Sequence, residues 1–319
     1  MRVLAAPDKF RGTATAPEVA AAVARAAIAA GAEADEVPLA DGGEGTLDAL
    51  GGANKATVVT GPLGDPVEAA WRLDGQTAVI EMAQASGLEV VGGPEGNDAV
   101  AASTYGTGEL IAAAVERGAR EVIVGVGGSA TTDGGLGALR ALEPAPRLRG
   151  VELRVACDVR LRFVDAAEVF GPQKGASPAQ VELLRRRLER LAQIYLEERG
   201  VDVTDLEGAG AAGGLAGGLA SLGARLEPGF DLVADTVDLD ERLEGCDLVV
   251  TGGATSTSSP STARSWVGSS PWPGSSTYRS WWSPARSSRT SLMAWRPSPS
   301  PNASAASAPA STPWPASKK

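Results

Sequence analysis

Short apolar runs alternate with amphipathic stretches along the first 252 residues of the chain. Strand-like patterning predicts strands at residues 3–6, 34–39, 55–60, 67–73, 77–82, 121–126, 152–156 and 247–251. Helices are predicted at residues 17–30, 46–50, 105–117, 178–199 and 232–243. This alternation of strand, loop and helix is typical of parallel α/β units.

The alternating pattern ends at Gly252. Residues 253–319 contain no Asp or Glu, seven basic residues, twenty serines, ten prolines and six of the seven tryptophans. Because no stretch keeps an apolar period of about 2 or 3.6, this composition predicts a low-complexity, disordered tail. We therefore divide the chain into a core at 1–252, whose internal domain boundary the sequence does not give, and an aberrant tail at 253–319.

A shift of reading frame offers a second explanation for the tail. Permitted G+C-rich codons for residues 253–266, read from the third base, give SDFDLQSLDGKVV. Continuing through residues 267–288 can give a Val-rich run, which is typical of a buried parallel strand. Codon degeneracy makes the tail compatible with a frameshift without requiring one, and the nucleotide sequence around codons 250–256 would decide.

The composition of the chain excludes several kinds of catalytic site and argues against some partners. The chain has no histidine, which excludes His-based triads and imidazole proton shuttles. Two cysteines, Cys157 and Cys246, cannot build a disulfide framework and indicate a reducing cytoplasm. We expect no membrane partner, because the chain lacks an uninterrupted apolar stretch of about 18 residues and reaches Asp8 too early for a signal peptide. The net charge of −10 argues against nucleic acid as a partner.

Three glycine-rich loops are candidates for binding a ligand at the carboxyl ends of strands. Residues 41–45 (DGGEG) combine backbone N–H groups with two carboxylates, and residues 127–135 (GGSATTDGG) place four glycines and three hydroxyls before a helix. The second loop predicts a nest for a phosphate. Residues 171–175 (GPQKG) offer Lys174 to a phosphate or carboxylate. Each loop also has a simpler interpretation, as a turn, a helix cap or a solvated lysine.

Two further patterns leave alternatives open. Asp8 and Arg11 follow the first strand, where a guanidinium fork would suit a small carboxylate substrate; an ordinary surface ion pair is the alternative. Residues 125–130 and 208–214 weakly match a dinucleotide-binding loop, so an NAD-linked enzyme stays possible at this point.

Taken in order, ten blocks of the core resemble the bacterial type-1 glycerate kinase family. They are APDKFRGT, PLADGGEGTLDAL, VTGPLGDPVEA, AVIEMAQASGL, STYGTGELI, IVGVGGSATTDGGLGAL, ACDV, VFGPQKGA, GAGAAGGLAGGL and DLVVTG. The resemblance implies two α/β domains with largely parallel sheets, one of them flavodoxin- or Rossmann-like, with the active site in the cleft between them and an incomplete C-terminal part. It also implies ATP-dependent phosphorylation of D-glycerate with Mg²⁺, with 2-phosphoglycerate the favoured product over the 3-phosphate.

The resemblance assigns roles to residues of these loops. Expected catalytic residues are Asp41, Glu44, Asp133, Asp158 and Lys174, and the expected Mg²⁺ ligands are Asp133 and Asp158. Expected substrate- and phosphate-binding residues are Asp8, Arg11, Gly42, Gly43, Gly127, Gly128, Ser129, Thr131, Gly134, Gln173, Gly210, Gly213 and Gly214.

The chain also departs from the family pattern. Lys9 and Arg11 stand where the family has Ser and Lys, residues 160–163 replace part of a binding loop, and the chain is short between Leu142 and Cys157. After Gly252 the family's acidic stretch and Gly-Lys pair are absent. We therefore expect impaired kinase activity and an unpaired strand edge at 247–251. The alternative is an inactive or non-catalytic α/β protein that binds a small hydroxy acid or a nucleotide.

Overall fold

A computed structural model describes residues 1–10, 13–144 and 148–253 with their side chains, and the backbone of residues 254, 279–282 and 290–296. Its strands are β1 Arg2–Ala5, β2 Glu33–Glu36, β3 Lys55–Thr60, β4 Pro66–Asp74, β5 Thr77–Glu81, β6 Glu121–Gly125, β7 Glu152–Ala156, β8 Arg225–Glu227, β9 Leu248–Ala254, β10 Arg279–Trp282 and β11 Thr290–Arg296. Its α-helices are α1 Ala16–Ala29, α2 Thr46–Ala49, α3 Ala83–Ser86, α4 Tyr105–Glu116, α5 Leu136–Ala141, α6 Ala166–Phe170, α7 Pro178–Arg199, α8 Leu215–Ala220, α9 Gly229–Thr236 and α10 Leu239–Glu244. Two 3-10 turns, Pro172–Lys174 and Ala211–Gly214, lie in the glycine-rich loops.

The first sheet has the strand order β10-β11-β9-β1-β2. Strand β1 lies between β9 and the edge strand β2 and pairs in parallel with both, with Val3 opposite Ala34 on one side and Leu248 on the other. Strand β11 pairs antiparallel with β9, and β10 with β11. The expectation of an unpaired edge at residues 247–251 is therefore wrong, because β11 supplies the backbone partner. The interpretation of 253–319 as a disordered tail otherwise concerns residues outside the described ones and stays a prediction.

The second sheet has the order β3-β4-β5-β6-β7-β8, and its last four strands are parallel. Alternate residues such as Ile80, Val124 and Val155 face a core that α4 and α8 cover. The other face carries Ile123 and Ala156, which pack against Leu232 of α9 and Leu50, just after α2. The second sheet thus contacts the half of the molecule built around the first.

The long helix α7 begins at a capping box, in which Ser177 N–H donates to Gln180 Oε1 at 2.8 Å. Its buried face includes Leu188 and Tyr195, and the Tyr195 ring lies edge-on to Phe163 with 6.0 Å between centroids. This packing covers the underside of the loop at 127–135, because Tyr195 Oη donates to the carbonyl of Gly134 at 2.9 Å.

The α/β class with largely parallel sheets is confirmed. One predicted helix is wrong in detail: residues 232–243 form parts of two helices, α9 and α10, because Asp238 between them takes a left-handed φ of 51°. Among the described helices, none has both the length and the apolar character needed to cross a membrane.

Candidate active site

Loops from both sheets meet at the carboxyl ends of parallel strands. The loop at 41–45 comes after β2 and reaches the end of β6, where the N–H of Val126 donates to the carbonyl of Gly42 at 3.1 Å. Gly127 comes so close to this loop that a Cβ on it would lie 2.6 Å from the Cα of Gly43. A side chain at Gly127 would separate the two loops, so glycine is required at this contact.

Lys9 joins the loop after β1 to the loop at 41–45. Its Nζ lies 3.4 Å from Asp41 Oδ1 and also donates to the backbone carbonyl of Glu44. Asp41 Oδ1 accepts a second bond, from the N–H of Gly43, at 3.1 Å. The Lys9 side chain is only 11% exposed, so its charge faces the loop instead of solvent. The lysine that stands in place of the family's serine therefore braces this loop.

Asp158 follows β7 and lies close enough to Asp41 for the two carboxylates to interact. Burial raises the pKa of Asp158 to about 6, and the carboxylate of Asp41 adds to this increase. The backbone N–H groups of Gly229 and Phe230 oppose the increase, and Gly229 donates to Asp158 Oδ1 at 2.9 Å. The other oxygen, Oδ2, is buried and has no hydrogen-bond partner among the described residues. This oxygen is therefore available to a proton or a cation.

Asp133 has both carboxylate oxygens engaged. Oδ2 accepts from the backbone N–H groups of Thr104 and Gly137 at 2.9 and 3.1 Å, and Oδ1 accepts from Gly135 at 3.0 Å. The Thr104 hydroxyl adds a bond to Oδ2 at 2.9 Å. These contacts tie the start of α4 to the start of α5. The catalytic and Mg²⁺ roles expected for Asp133 stay predictions, and the geometry adds a capping role.

Lys174 is 2% exposed and lies beneath the loop at 127–135. Its Nζ donates to Ser129 Oγ at 2.7 Å and to the carbonyl of Thr131 at 2.6 Å. Burial lowers the pKa of Lys174 to about 7, while Asp133 opposes this decrease. In this arrangement the amine holds the loop, and direct contact of Lys174 with a phosphate stays a prediction.

Three glycines of the 208–214 segment serve close packing. A Cβ on Gly213 would overlap the carbonyl of Thr131, one on Gly210 the carbonyl of Arg162, and one on Gly214 would lie 2.8 Å from Gly134 Cα. All three glycines are buried, so the segment offers little open backbone to a dinucleotide. Their expected role in binding phosphate stays a prediction.

The remaining expected residues differ in position. Asp8 Oδ1 accepts from the N–H of Lys9 at 2.6 Å, whereas the side chains of Glu44 and Gln173 are exposed. Thr131 Oγ1 is buried without a hydrogen-bond partner among the described residues, and its expected role in binding phosphate stays a prediction. Gly128 takes a left-handed φ of 69° at the loop's outer turn. Arg11 lies outside the described residues.

Glu81, at the end of β5, was not among the expected residues. It is 5% exposed, and Oε1 accepts from the N–H of Leu47 at 2.8 Å. Burial raises the pKa of Glu81, the backbone of Leu47 opposes the increase, and Asp48 adds to it. The one available sequence signal was an acidic residue closing the apolar strand TAVIE, at the edge where the loops lie.

The residues present fit a magnesium ion. Among the described residues there is no group of three or more acidic or sulfur ligands that could hold a metal alone. Mg²⁺ in enzymes of this chemistry is held by one or two carboxylates together with substrate phosphates. The unpartnered Asp158 Oδ2, with Asp41 near enough to raise the pKa of Asp158, provides such a pair.

Comparisons with known proteins agree on one family. The sequence profile of the Glycerate kinase family matches residues 3–145 and 143–261, in two pieces that meet where the chain is expected to be short. The chain is 41% identical to the Glycerate 2-kinase of Escherichia coli (strain K12), over 79% of the chain and 76% of that protein. It is also 41% identical, with the same coverage, to the Glycerate kinase of Bacillus subtilis (strain 168). A crystal structure assigned to a glycerate kinase 2 from Salmonella typhimurium LT2 superposes with a TM-score of 0.76 at 37% identity, over 84% of this chain and 82% of that one.

Proposed function

Because the chain belongs to the glycerate kinase family of phosphotransferases with an alcohol acceptor, we propose that it transfers the terminal phosphate of ATP to a hydroxyl of D-glycerate. The name of the Escherichia coli relative, Glycerate 2-kinase, supports 2-phosphoglycerate as the product. We also propose a cytoplasmic location, because ATP is available there and both cysteines in the described part of the chain are free thiols, as a reducing compartment favours.

The chain's own residues position the reactants. Backbone N–H groups and the unpartnered Thr131 hydroxyl of the loop at 127–135 bind the ATP phosphates, and Lys174 keeps that loop in place from below. Lys9 and Asp41 fix the facing loop. Arg11 is proposed for the glycerate carboxylate. Phosphoryl transfer needs such positioning and charge stabilisation more than a special nucleophile.

Asp158 and Asp41 are the residues that would hold Mg²⁺. When bound with ATP, the ion neutralises charge on the phosphates during transfer. Before binding, Asp158 holds a proton at Oδ2 below about pH 6. The buried, unpartnered Asp158 Oδ2, on a carboxylate close enough to Asp41 to have its pKa raised by it, is the observation that carries the proposal.

The change in composition at Gly252 falls beside this site. The carbonyl of Gly252 accepts from the N–H of Asp8 at 2.8 Å, and a Cβ on Gly253 would lie 3.3 Å from Asp8 Cβ. The end of β9 therefore lies next to the loop of Asp8 and Lys9. We propose that the altered residues 253–319 impair transfer. The same observation favours the second candidate, a non-catalytic protein that binds a nucleotide or a small hydroxy acid.

Replacing Asp158 tests the proposed function. In a protein whose C-terminal reading frame has been restored, we expect Asp158→Asn to lower glycerate-dependent ATP consumption at least about 100-fold, because the charge of the cation site is lost. Asp65→Asn, at an exposed turn, is the matched control and should keep its rate.

The dependence of the rate on pH is a second test of Asp158. Asp158 is ionised above about pH 6, so the rate should fall as pH decreases through that value. Activity of Asp158→Asn within a few-fold of the parent would contradict the proposal.

A further inference from the structure

We infer that Glu81 is a positioning residue. From the half of the molecule built around the second sheet, it holds the start of α2 and, through it, the loop at 41–45 that carries Asp41. The inference rests on the proposed function, since it makes Glu81 a support for Asp41. Glu81 ends β5 of the second sheet, whereas the loop follows β2 of the first. The two residues joined by the bond, Glu81 and Leu47, are 34 positions apart.

The helix that follows this loop has no cap of its own. Gly45 is the N-cap residue of α2, takes a φ of 89° and provides no side-chain hydrogen bond. The hydroxyl of Thr46 points back to the carbonyl of Gly43 at 2.7 Å, where it acts as a donor. The first N–H groups of a helix need an acceptor. The carboxylate of Glu81 supplies it, through its 2.8 Å bond with Leu47 and a weaker interaction with Gly45.

A glycine in the neighbouring strand lets the loop come close to Glu81. Gly125 of β6 lies beside it, and a Cβ on Gly125 would come 3.7 Å from Glu81 Cγ and 3.0 Å from the carbonyl oxygen of Gly42. A Cβ at Gly125 would therefore crowd the carbonyl of Gly42, whereas its distance to Glu81 is an ordinary van der Waals contact. Glycine at this strand end lets the loop approach the strand beside Glu81.

Burial of the Glu81 carboxylate is unfavourable unless other groups replace the water that it loses. An ionised carboxylate placed out of water is unfavourable unless it is paired. The charges that face it are Lys9, which is engaged with Asp41 and the carbonyl of Glu44, and Asp48, which repels it. Among the described residues the compensation comes from backbone N–H groups of the loop. The loop is therefore held by Lys9 on one side and Glu81 on the other.

Amide hydrogen exchange of the full chain tests this inference without requiring activity. In Glu81→Gln the strong charge-assisted bond becomes a weaker neutral one, so amides of residues 43–50 should exchange about tenfold faster than in the parent. Glu121→Gln is the matched control, because Glu121 lies on the same sheet at the opposite strand end and pairs with Arg154 at 3.1 Å. Exchange at 43–50 should not change in the control. Equal protection in Glu81→Gln and Glu121→Gln would overturn the inference.

Two further measurements separate possible outcomes. If Glu81→Gln fails to fold, Glu81→Asp keeps the charge but withdraws it from Leu47, and the same faster exchange is expected. In the frame-restored protein, Glu81→Gln should raise the KM for D-glycerate at least fivefold, with a smaller change in the melting temperature than in KM. If that parent protein neither binds nor phosphorylates D-glycerate, the proposed function fails, while the exchange result still decides whether Glu81 holds the loop.

Discussion

At the scale of single residues, burial acts in opposite directions on the two most informative ionisable groups. It raises the pKa of Asp158 to about 6 and lowers that of Lys174 to about 7. Both shifts disfavour the charged form. One oxygen of Asp158 has no hydrogen-bond partner among the described residues and can accept a bond from a ligand, whereas the amine of Lys174 already donates to Ser129 and Thr131. The lysine that the motif presents as a catalytic candidate thus supports the loop at 127–135.

The pKa of Lys174 predicts a specific dependence of stability on pH. Between about pH 7 and the ordinary lysine value of 10.5, the unfolded chain holds a proton that the folded chain has lost, so stability rises with pH in this window. We expect Lys174 to add about 1–2 kcal/mol to the free energy of unfolding between pH 7 and 8.5, as measured by urea denaturation.

Matched lysine variants isolate this contribution. Lys174→Met should lose the increase, and Lys55→Met, which removes an exposed lysine, should keep it. An unchanged pH dependence in Lys174→Met would show that the amine stays charged in the folded protein.

At the scale of elements, the strands and long helices could be predicted because their apolar periods and caps are local. The helix predicted at 178–199 is confirmed as α7, and in the structure Ser177 and Gln180 form the capping box at its start. The prediction of a single helix at 232–243 is wrong. The apolar period continues through Asp238, but the left-handed backbone of that residue separates two helices. Short helices such as α6 and α8 were missed because tertiary packing, more than propensity, stabilises them.

The glycines of the 208–214 segment give a test at this scale. Gly213→Ala should destabilise the protein severely, because the new Cβ overlaps the carbonyl of Thr131 and the residue keeps a φ of 66°. Residue 223 also has a positive φ, 95°, but a Cβ there would meet no atom within 4 Å. Gly223→Ala should therefore cost only the backbone strain, about 1–2 kcal/mol.

Thermal melting of the two glycine variants separates steric overlap from strain. A similar loss of stability in both would mean that the segment does not pack against the loop at 127–135 as described.

At the scale of the whole molecule, the sequence could place the glycine-rich loops at one edge of the sheets, because strand ends in α/β proteins meet there. It could not show which side chains join distant parts of the chain. The bond from Leu47 to Glu81 and the amine of Lys174 beneath Thr131 join positions 34 and 43 residues apart, and no local pattern records such contacts. The change in composition at Gly252 was visible in the sequence, and only the fold shows that it adjoins Asp8.

The most direct test of the phosphotransferase site follows the phosphorus NMR spectrum of the frame-restored protein mixed with D-glycerate, ATP and Mg²⁺. We predict a growing phosphoglycerate resonance, matched mole for mole by ADP, and a far slower reaction with the chain that carries the present residues 253–319. If the frame-restored, folded protein forms no phosphoglycerate while ATP and D-glycerate remain intact, the site described here does not transfer phosphate.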